Sequence, residues 1–264
     1  MSIDRRRFLD LAAVGAATGI LRPALRSSAN RTSQFAAVAF DGFPIFDPRP
    51  IAGLAESLFP GKGNDLNALW RARQFEYQWL RALGGRYEDF WRTTDDALTF
   101  AAAQLGLDLT SEKRDRLMQA YLELKAWPDA PTALAALLHA GVRLVFLSNM
   151  TQEMLEAGIH NARLDGFFEH VLSTDRIRAY KPEPRAYRMA SEALGLEPAR
   201  ILFVASAGWD VAGAQWFGYP TYWNNRFGLP PEELAARADA TGRDLADLPK
   251  FVVTSGSAPR SRIP

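Results

Sequence analysis

Phe35-Ala36-Ala37-Val38-Ala39-Phe40-Asp41-Gly42-Phe43-Pro44-Ile45-Phe46-Asp47 decides the fold: an apolar run broken abruptly by a carboxylate and an irregular turn. A run of Phe, Ala and Val this uninterrupted reads as a strand buried on both faces, as in a parallel sheet. Asp41 then stands at the strand's carboxyl end, where open α/β sheets place their ligands. A carboxylate there either caps the next helix or turn, or serves as a nucleophile whose ester water later cleaves. Residues further along the chain decide between the two.

From about Pro50 to Trp127 the pattern reads as helices only. Asp65 to Ala82 carries Leu66, Leu69, Trp70, Phe75, Tyr77, Trp79 and Leu80 and stops at Gly84-Gly85. Tyr87 to Leu105 repeats the pattern, and Ser111 begins a third helix. Beyond Trp127-Pro128 strands and helices alternate. Val142 to Leu147, His170 to Ser173, Ile201 to Val204 and Pro220 to Trp223 read as strands, the last of them closing the pattern. Pro131 to Ala140, Thr151 to Ala162, Pro184 to Leu194 and Asp210 to Phe217 read as helices. Such alternation means βαβ units and a parallel sheet. The expected architecture is α/β: a Rossmann-like parallel-sheet core (residues 34–50 and 128–264) with an inserted helical cap (residues 51–127).

With 264 residues, 48% hydrophobic and 23% charged, the chain can bury a sizeable core as one domain or a domain plus insert. A net charge of +1 points to no nucleic-acid partner. The absence of Cys excludes disulfides, thiol nucleophiles and thiolate metal sites. The three His (His139, His160, His170) do not pair at ligand spacing, which argues against a His-rich metal centre. Residues 1–30 read as a targeting segment. Arg5-Arg6-Arg7-Phe8-Leu9 precedes a moderately apolar stretch, Leu11 to Leu21, and Ser27-Ser28-Ala29 offers small residues for cleavage. This looks like a twin-arginine export signal, implying recognition by the export machinery and a periplasmic location. The alternative is a basic tail with a short amphipathic anchor.

Several strand ends carry chemistry. Asp41 ends the first strand, Ser148-Asn149 the second, and Asp210 follows the fourth; Lys181 lies in the loop Tyr180-Lys181-Pro182. Crossover rules bring such ends to one edge of the sheet. A nucleophilic Asp, a hydroxyl, an amide, a Lys to hold the carboxylate ionised and a second carboxylate make a hydrolytic site. Individually, Ser-Asn after a strand is a common helix cap and Lys-Pro a common solvated loop. It is their order that carries weight.

On these residues the chain, from about Phe35 onward, resembles the haloacid dehalogenase superfamily: motif one at Phe40-Asp41, two at Leu147-Ser148-Asn149, three at Lys181-Pro182, four at Trp209-Asp210. Within it the chain is similar to the L-2-haloacid dehalogenases. Their signature helix is matched by Ala68 through Leu80, and further matches are Arg86-Tyr87-Glu88-Asp89-Phe90 and Tyr180 through Tyr187. Superfamily phosphatases carry a second Asp two positions after the nucleophile to protonate a leaving alcohol; here that position is Phe43. Halide needs no proton to leave.

The resemblance implies hydrolysis of short L-2-haloalkanoic acids to D-2-hydroxy acids, with neither metal nor cofactor. Asp41 would attack C2 in line with the halogen. Arg71 would draw on the departing halide, with Asn149 assisting, and Ser148 would bind the substrate carboxylate. Lys181 would orient Asp41, supported by Tyr187, and Asp210 would help place the hydrolytic water. Phe43, Phe75, Phe90 and Trp209 would wall the halogen and alkyl group, although ordinary core packing explains each aromatic as well. A homodimer is one assembly open to such a protein.

Three departures stand out. The turn Asp41 to Asp47 is one residue shorter than the family's Asp-x-Tyr-Gly-Thr-Leu-Phe-Asp and lacks its Thr. Motif four has Ala205 and Ala207 in place of Ser and Asn, and the Gln following the cap Arg is Ala72. These changes remove hydrogen bonds worth about 1 kcal/mol each. They keep open a second reading, an exported relative that binds a small carboxylate without turnover, and, behind it, a phosphatase. Val204 to Gly208 also faintly matches the serine-hydrolase elbow Gly-x-Ser-x-Gly, but the first Gly is missing and no His follows.

Overall fold

The computed structural model describes residues 33–255. The chain begins with β1 (Ala37–Phe40), a helical turn α1 (Gly42–Ile45) and β2 (Phe46–Asp47). Four helices follow: α2 (Arg49–Leu58), α3 (Gly63–Leu83), α4 (Phe90–Gln104) and α5 (Ser111–Gln119). Next come β3 (Lys125–Ala126), α6 (Ala130–His139), β4 (Arg143–Ser148), α7 (Gln152–Asn161), β5 (His170–Ser173) and α8 (Pro184–Leu194). The last elements are β6 (Ile201–Ala205), α9 (Gly208–Phe217), β7 (Thr221–Asn224), β8 (Ala240–Gly242) and α10 (Leu248–Thr254).

Six strands form one sheet in the order β5-β4-β1-β6-β7-β8, every neighbouring pair parallel. β1 lies at its centre and is buried at every position. Side chains alternate across the pleat. Val38, Phe40, Leu144, Phe146, Leu202 and Val204 enter one apolar layer, and Ala37, Ala39, Val145, Leu147, Ile201 and Phe203 the other. With both faces covered, the strands carry apolar runs rather than an alternating pattern. The α/β core expected from the sequence is therefore present.

Several local expectations need correction. The turn after Asp41 is the single helical turn α1, and Asp41 caps it by accepting from Phe43 N at 3.4 Å. The stretch read as helices only includes β3, which pairs antiparallel with β2 (Phe46 with Ala126, Asp47 with Lys125). This ribbon ties together the entry and exit of the α2–α5 insert, and two residues are too few for a period to show. α4 starts at Phe90 rather than Tyr87, because the Asp89 side chain accepts from Arg92 N at 2.7 Å and caps the helix there.

β7 is not the last element. β8 extends the sheet and α10 packs on α6 with Leu248 and Val252 buried. Asp129 holds this end in place, taking both terminal nitrogens of Arg226 (2.9 and 2.8 Å) and the amide of Leu245 (2.9 Å).

Candidate active site

Asp41 reaches the site because β1 stops there: its amide still donates to Val204 O at 2.9 Å, and its side chain turns out of the sheet edge. Lys181 Nζ donates to Asp41 Oδ1 (2.7 Å), Asp210 Oδ2 (2.5 Å) and Leu147 O (3.2 Å), which accounts for all three ammonium protons. Ser148 Oγ donates to the same Asp41 Oδ1 at 3.2 Å. One carboxylate oxygen is thus tethered twice. Among the described residues the other, Oδ2, accepts only the long contact from Phe43 N. Because Asp41 also lines the cavity described below, Oδ2 is the oxygen with lone pairs to spare.

Asp210 sits in the first turn of α9, a helix that begins at Gly208, two residues before the start that the sequence pattern suggests. Tyr187 donates to its Oδ1 at 2.7 Å while Lys181 takes Oδ2, so both oxygens are engaged. Gly213 makes this possible: a Cβ there would collide with the Tyr187 hydroxyl and Pro182. Burial pushes the Asp210 carboxyl up to about 6, against the pull of Lys181 and with the charge of Asp41 adding to the rise. Burial disfavours the Lys181 ammonium too, but Asp210 and Asp41 outweigh it and its pKa is raised. Burial, with Asp210 nearby, holds the Tyr187 phenol protonated as a donor.

A cavity of about 570 Å³ opens over Asp41. Asp41, Lys181, Arg71, Ser148 and Asn149 supply polar groups to its wall, and Phe43, Phe75, Phe90 and Trp209 apolar ones. Nine of the expected site residues thus meet in one space. The other two do not reach it: Asp210 and Tyr187 lie buried behind Lys181. Asp210, expected to help place or activate the water, and Tyr187, expected to support Lys181 and to bind substrate, therefore stand one layer behind the cavity wall. Lys181 donates to Asp210, and Tyr187 donates to Asp210 in turn.

Arg71 is the second cation of the cavity wall. Its guanidinium lies 5.9 Å from the Phe43 ring centroid and, among the described residues, has no carboxylate partner. Its neighbours Arg73 and Arg81 are paired with Glu76 and Asp96. Phe43 is itself fixed, since Trp127 Nε1 donates to its carbonyl at 3.0 Å and Trp127 is flanked by the guanidinium groups of Arg49 and Arg226. Phe75, Trp79 and Trp209 pack in a triangle with centroids 5.4–5.8 Å apart.

Asn149 lines the cavity yet its amide is busy. Its Oδ1 accepts from Lys181 N (2.9 Å) and Thr174 Oγ1 (3.3 Å), and its Nδ2 donates to Gln78 Oε1 at 3.0 Å. Gln78 is a residue that sequence reasoning missed. The signal was available: Leu66, Trp70, Gln74 and Gln78 fall on the buried stripe of α3, and a polar residue on such a stripe needs a partner. Trp79, read only as an apolar position, donates to Lys181 O at 3.1 Å and so joins the insert to the Lys181 loop.

The departures also have a place. Ala72 and Ala207 line the cavity, so the missing polar side chains would have projected into it. Ala205, the last residue of β6, is buried in the apolar layer it shares with Ala37, Ala39 and Phe203. Ser206 lines the cavity, and its buried hydroxyl has no hydrogen-bond partner among the described residues.

Comparison with known proteins agrees with this geometry. The family described as haloacid dehalogenase-like hydrolase matches residues 17–218. The (S)-2-haloacid dehalogenase of Pseudomonas sp. strain YL is 42% identical over 203 residues, covering 76% of this chain and 88% of that protein. The chain belongs to the haloacid dehalogenase-like hydrolases, within their L-2-haloacid dehalogenase branch. The haloacetate dehalogenase H-2 of Moraxella sp. strain B is another such hydrolase, 43% identical over 206 residues, covering 78% of this chain and 92% of that protein. Among solved structures, the L-2-haloacid dehalogenase from Xanthobacter autotrophicus with chloropropionic acid covalently bound superposes with a TM-score of 0.76. It is 36% identical, covering 83% of this chain and 98% of that one.

Proposed function

We propose that this haloacid dehalogenase-like hydrolase converts short L-2-haloalkanoic acids to D-2-hydroxy acids through an ester on Asp41. The observation that carries the reading is Asp41 itself: Lys181 and Ser148 donate to one oxygen, the other accepts only the 3.4 Å contact from Phe43 N among the described residues, and Asp41 lines a largely apolar cavity with Arg71, which has no carboxylate partner among them. Asp41 Oδ2 attacks C2, the carbon–halogen bond breaks, and the halide leaves with its electron pair toward Arg71. Water then attacks the ester carbonyl, releases the 2-hydroxy acid and a proton, and restores the carboxylate. Attack opposite the halogen inverts C2. Phe43 supports this chemistry over phosphate ester cleavage because it stands where the superfamily phosphatases carry the carboxyl that protonates a leaving alcohol.

Ser148 donates to Asp41 in the structure, so binding a substrate carboxylate requires its hydroxyl to turn from Oδ1. Arg71 is the group whose interaction grows as halide charge develops. Arg71→Ala should lower the rate of halide release from L-2-chloropropionate by about a hundredfold to a thousandfold. The D enantiomer should not react, and the product of the L enantiomer should be D-lactate. Retention of configuration, or release unchanged by the substitution, would reject the reading.

We also propose that the chain is exported by the twin-arginine route. Arg5-Arg6-Arg7-Phe8-Leu9 and the apolar stretch after it support this, although they lie outside the described residues. Replacing Arg5 and Arg6 by Lys should leave the full-length chain in the cytoplasm of its host; delivery that continues unchanged would remove the proposal.

A further inference from the structure

The cavity is much larger than a haloacetate or 2-halopropionate requires. At about 570 Å³ it falls in the range that encloses drug-sized ligands, roughly 300–1,000 Å³. Its chemistry is graded from one end to the other. At the inner end Lys181 is 1% and the Asp41 side chain 13% exposed. Phe227 and Leu229, which line the same space, are 55% and 53% exposed and so mark its mouth.

These two residues are held in place rather than trailing. Asn225 clamps their turn reciprocally: Leu229 N donates to Asn225 Oδ1 and Asn225 Nδ2 donates to Leu229 O, both at 2.8 Å. On the exposed side the wall carries Glu232 and a Glu76 already paired with Arg73, whereas the cations of the wall, Arg71 and Lys181, are not among its exposed residues, so a substrate carboxylate is favoured toward the inner end. Ala72 and Ala207 leave the space between the two ends open.

We infer that the site accepts L-2-haloacids with an extended apolar group on C2, a chain of several carbons running from Asp41 toward Phe227 and Leu229. This rests on the dehalogenase reading of the same site and adds the substrate class. A terminal carboxylate, halogen and C2 occupy the inner end, and each further methylene leaves water for the aromatic wall. The exposed apolar side chains at the mouth then acquire a function, since they cover the tail of the substrate.

The test is halide release from L-2-bromopropionate, L-2-bromobutanoate, L-2-bromohexanoate and L-2-bromooctanoate. The expected result is kcat/KM rising by up to about threefold to fourfold per added methylene, mainly through KM. The double variant Phe227→Ser, Leu229→Ser should flatten that slope. Calorimetry of D-2-hydroxyoctanoate against D-lactate reads the subsite without turnover, and at least tenfold tighter binding of the longer acid is expected. A kcat/KM that falls beyond the butanoate, a slope untouched by the double variant, or equal binding of the two hydroxy acids would each overturn the inference. If no member of the series releases halide while D-2-hydroxyoctanoate still binds more tightly, the apolar subsite stands and the dehalogenase reading fails.

Discussion

Asp41→Asn is expected to abolish halide release from L-2-haloacids, a loss of more than about a thousandfold in kcat. An amide is a poor nucleophile, and no other carboxylate takes Asp41's place on Lys181 at the inner end: Glu76 and Glu232, which also line the cavity, lie on its exposed side. Asp210, the other carboxylate on Lys181 among the described residues, has both oxygens bonded and does not line the cavity. In the unsubstituted enzyme, single turnover in H₂¹⁸O should place the label in Asp41, because water attacks the ester carbonyl and leaves one of its oxygens in the carboxylate. Mass spectrometry of the peptide containing Asp41 reads this directly. Mixed with an L-2-haloacid, the same peptide should carry the ester adduct, since Ala207 offers no side-chain hydrogen bond to the hydrolytic water and hydrolysis of the ester is expected to lag its formation. Label appearing first in the hydroxy acid, with none in Asp41, would mean that water attacks the substrate itself.

Lys181→Met should damage both stability and turnover. The substitution preserves much of the side-chain volume but removes the ammonium from between two carboxylates, one of them fully buried. Leaving a buried charge without its partner costs about 3–5 kcal/mol. The cost should depend on pH, with a definite sign. Asp210 already has a folded-state value raised to about 6, against about 3.9 for an unperturbed Asp. For a carboxyl raised in the folded state, the stabilisation is complete below the unfolded value and is lost as pH rises through the folded one. Removing Lys181 raises the folded value further. Urea unfolding should therefore show the variant closest to the parent near pH 4 and furthest below it at neutral pH. A stability difference that is flat across this window, or full activity in the variant, would contradict the role given to Lys181.

Much of the site is legible in the sequence. β1 declared itself by an apolar run that only a strand covered on both faces can carry, and the carboxylate ending it was placed by the general rule for parallel sheets. The regular alternation after Trp127 brought Ser148, Asn149 and Lys181 to the same sheet edge for the same reason. These are local properties. Periodicity and abrupt changes of polarity depend on a few neighbouring residues, and the direction of βαβ crossovers follows from chain handedness.

Other features are set by contacts between distant parts of the chain, and local pattern is silent about them. Two aspartates, Asp41 and Asp210, end up on one lysine, and nothing in either neighbourhood says which faces the cavity. The approach of Lys181 to Asp41, 140 residues apart, and of Tyr187 to Asp210 settles it. The clasp of Gln78 on Asn149, the β2–β3 ribbon, and the seating of Phe227 and Leu229 over the cavity arise in the same way. From its sequence alone this protein is legible as a parallel α/β hydrolase with a reactive aspartate at a strand end. Its tertiary structure decided which oxygen of that aspartate is free, what holds the other, and how much apolar room lies beyond it. Hydrogen-bond partners and enclosed volume are properties of packed surfaces, not of segments.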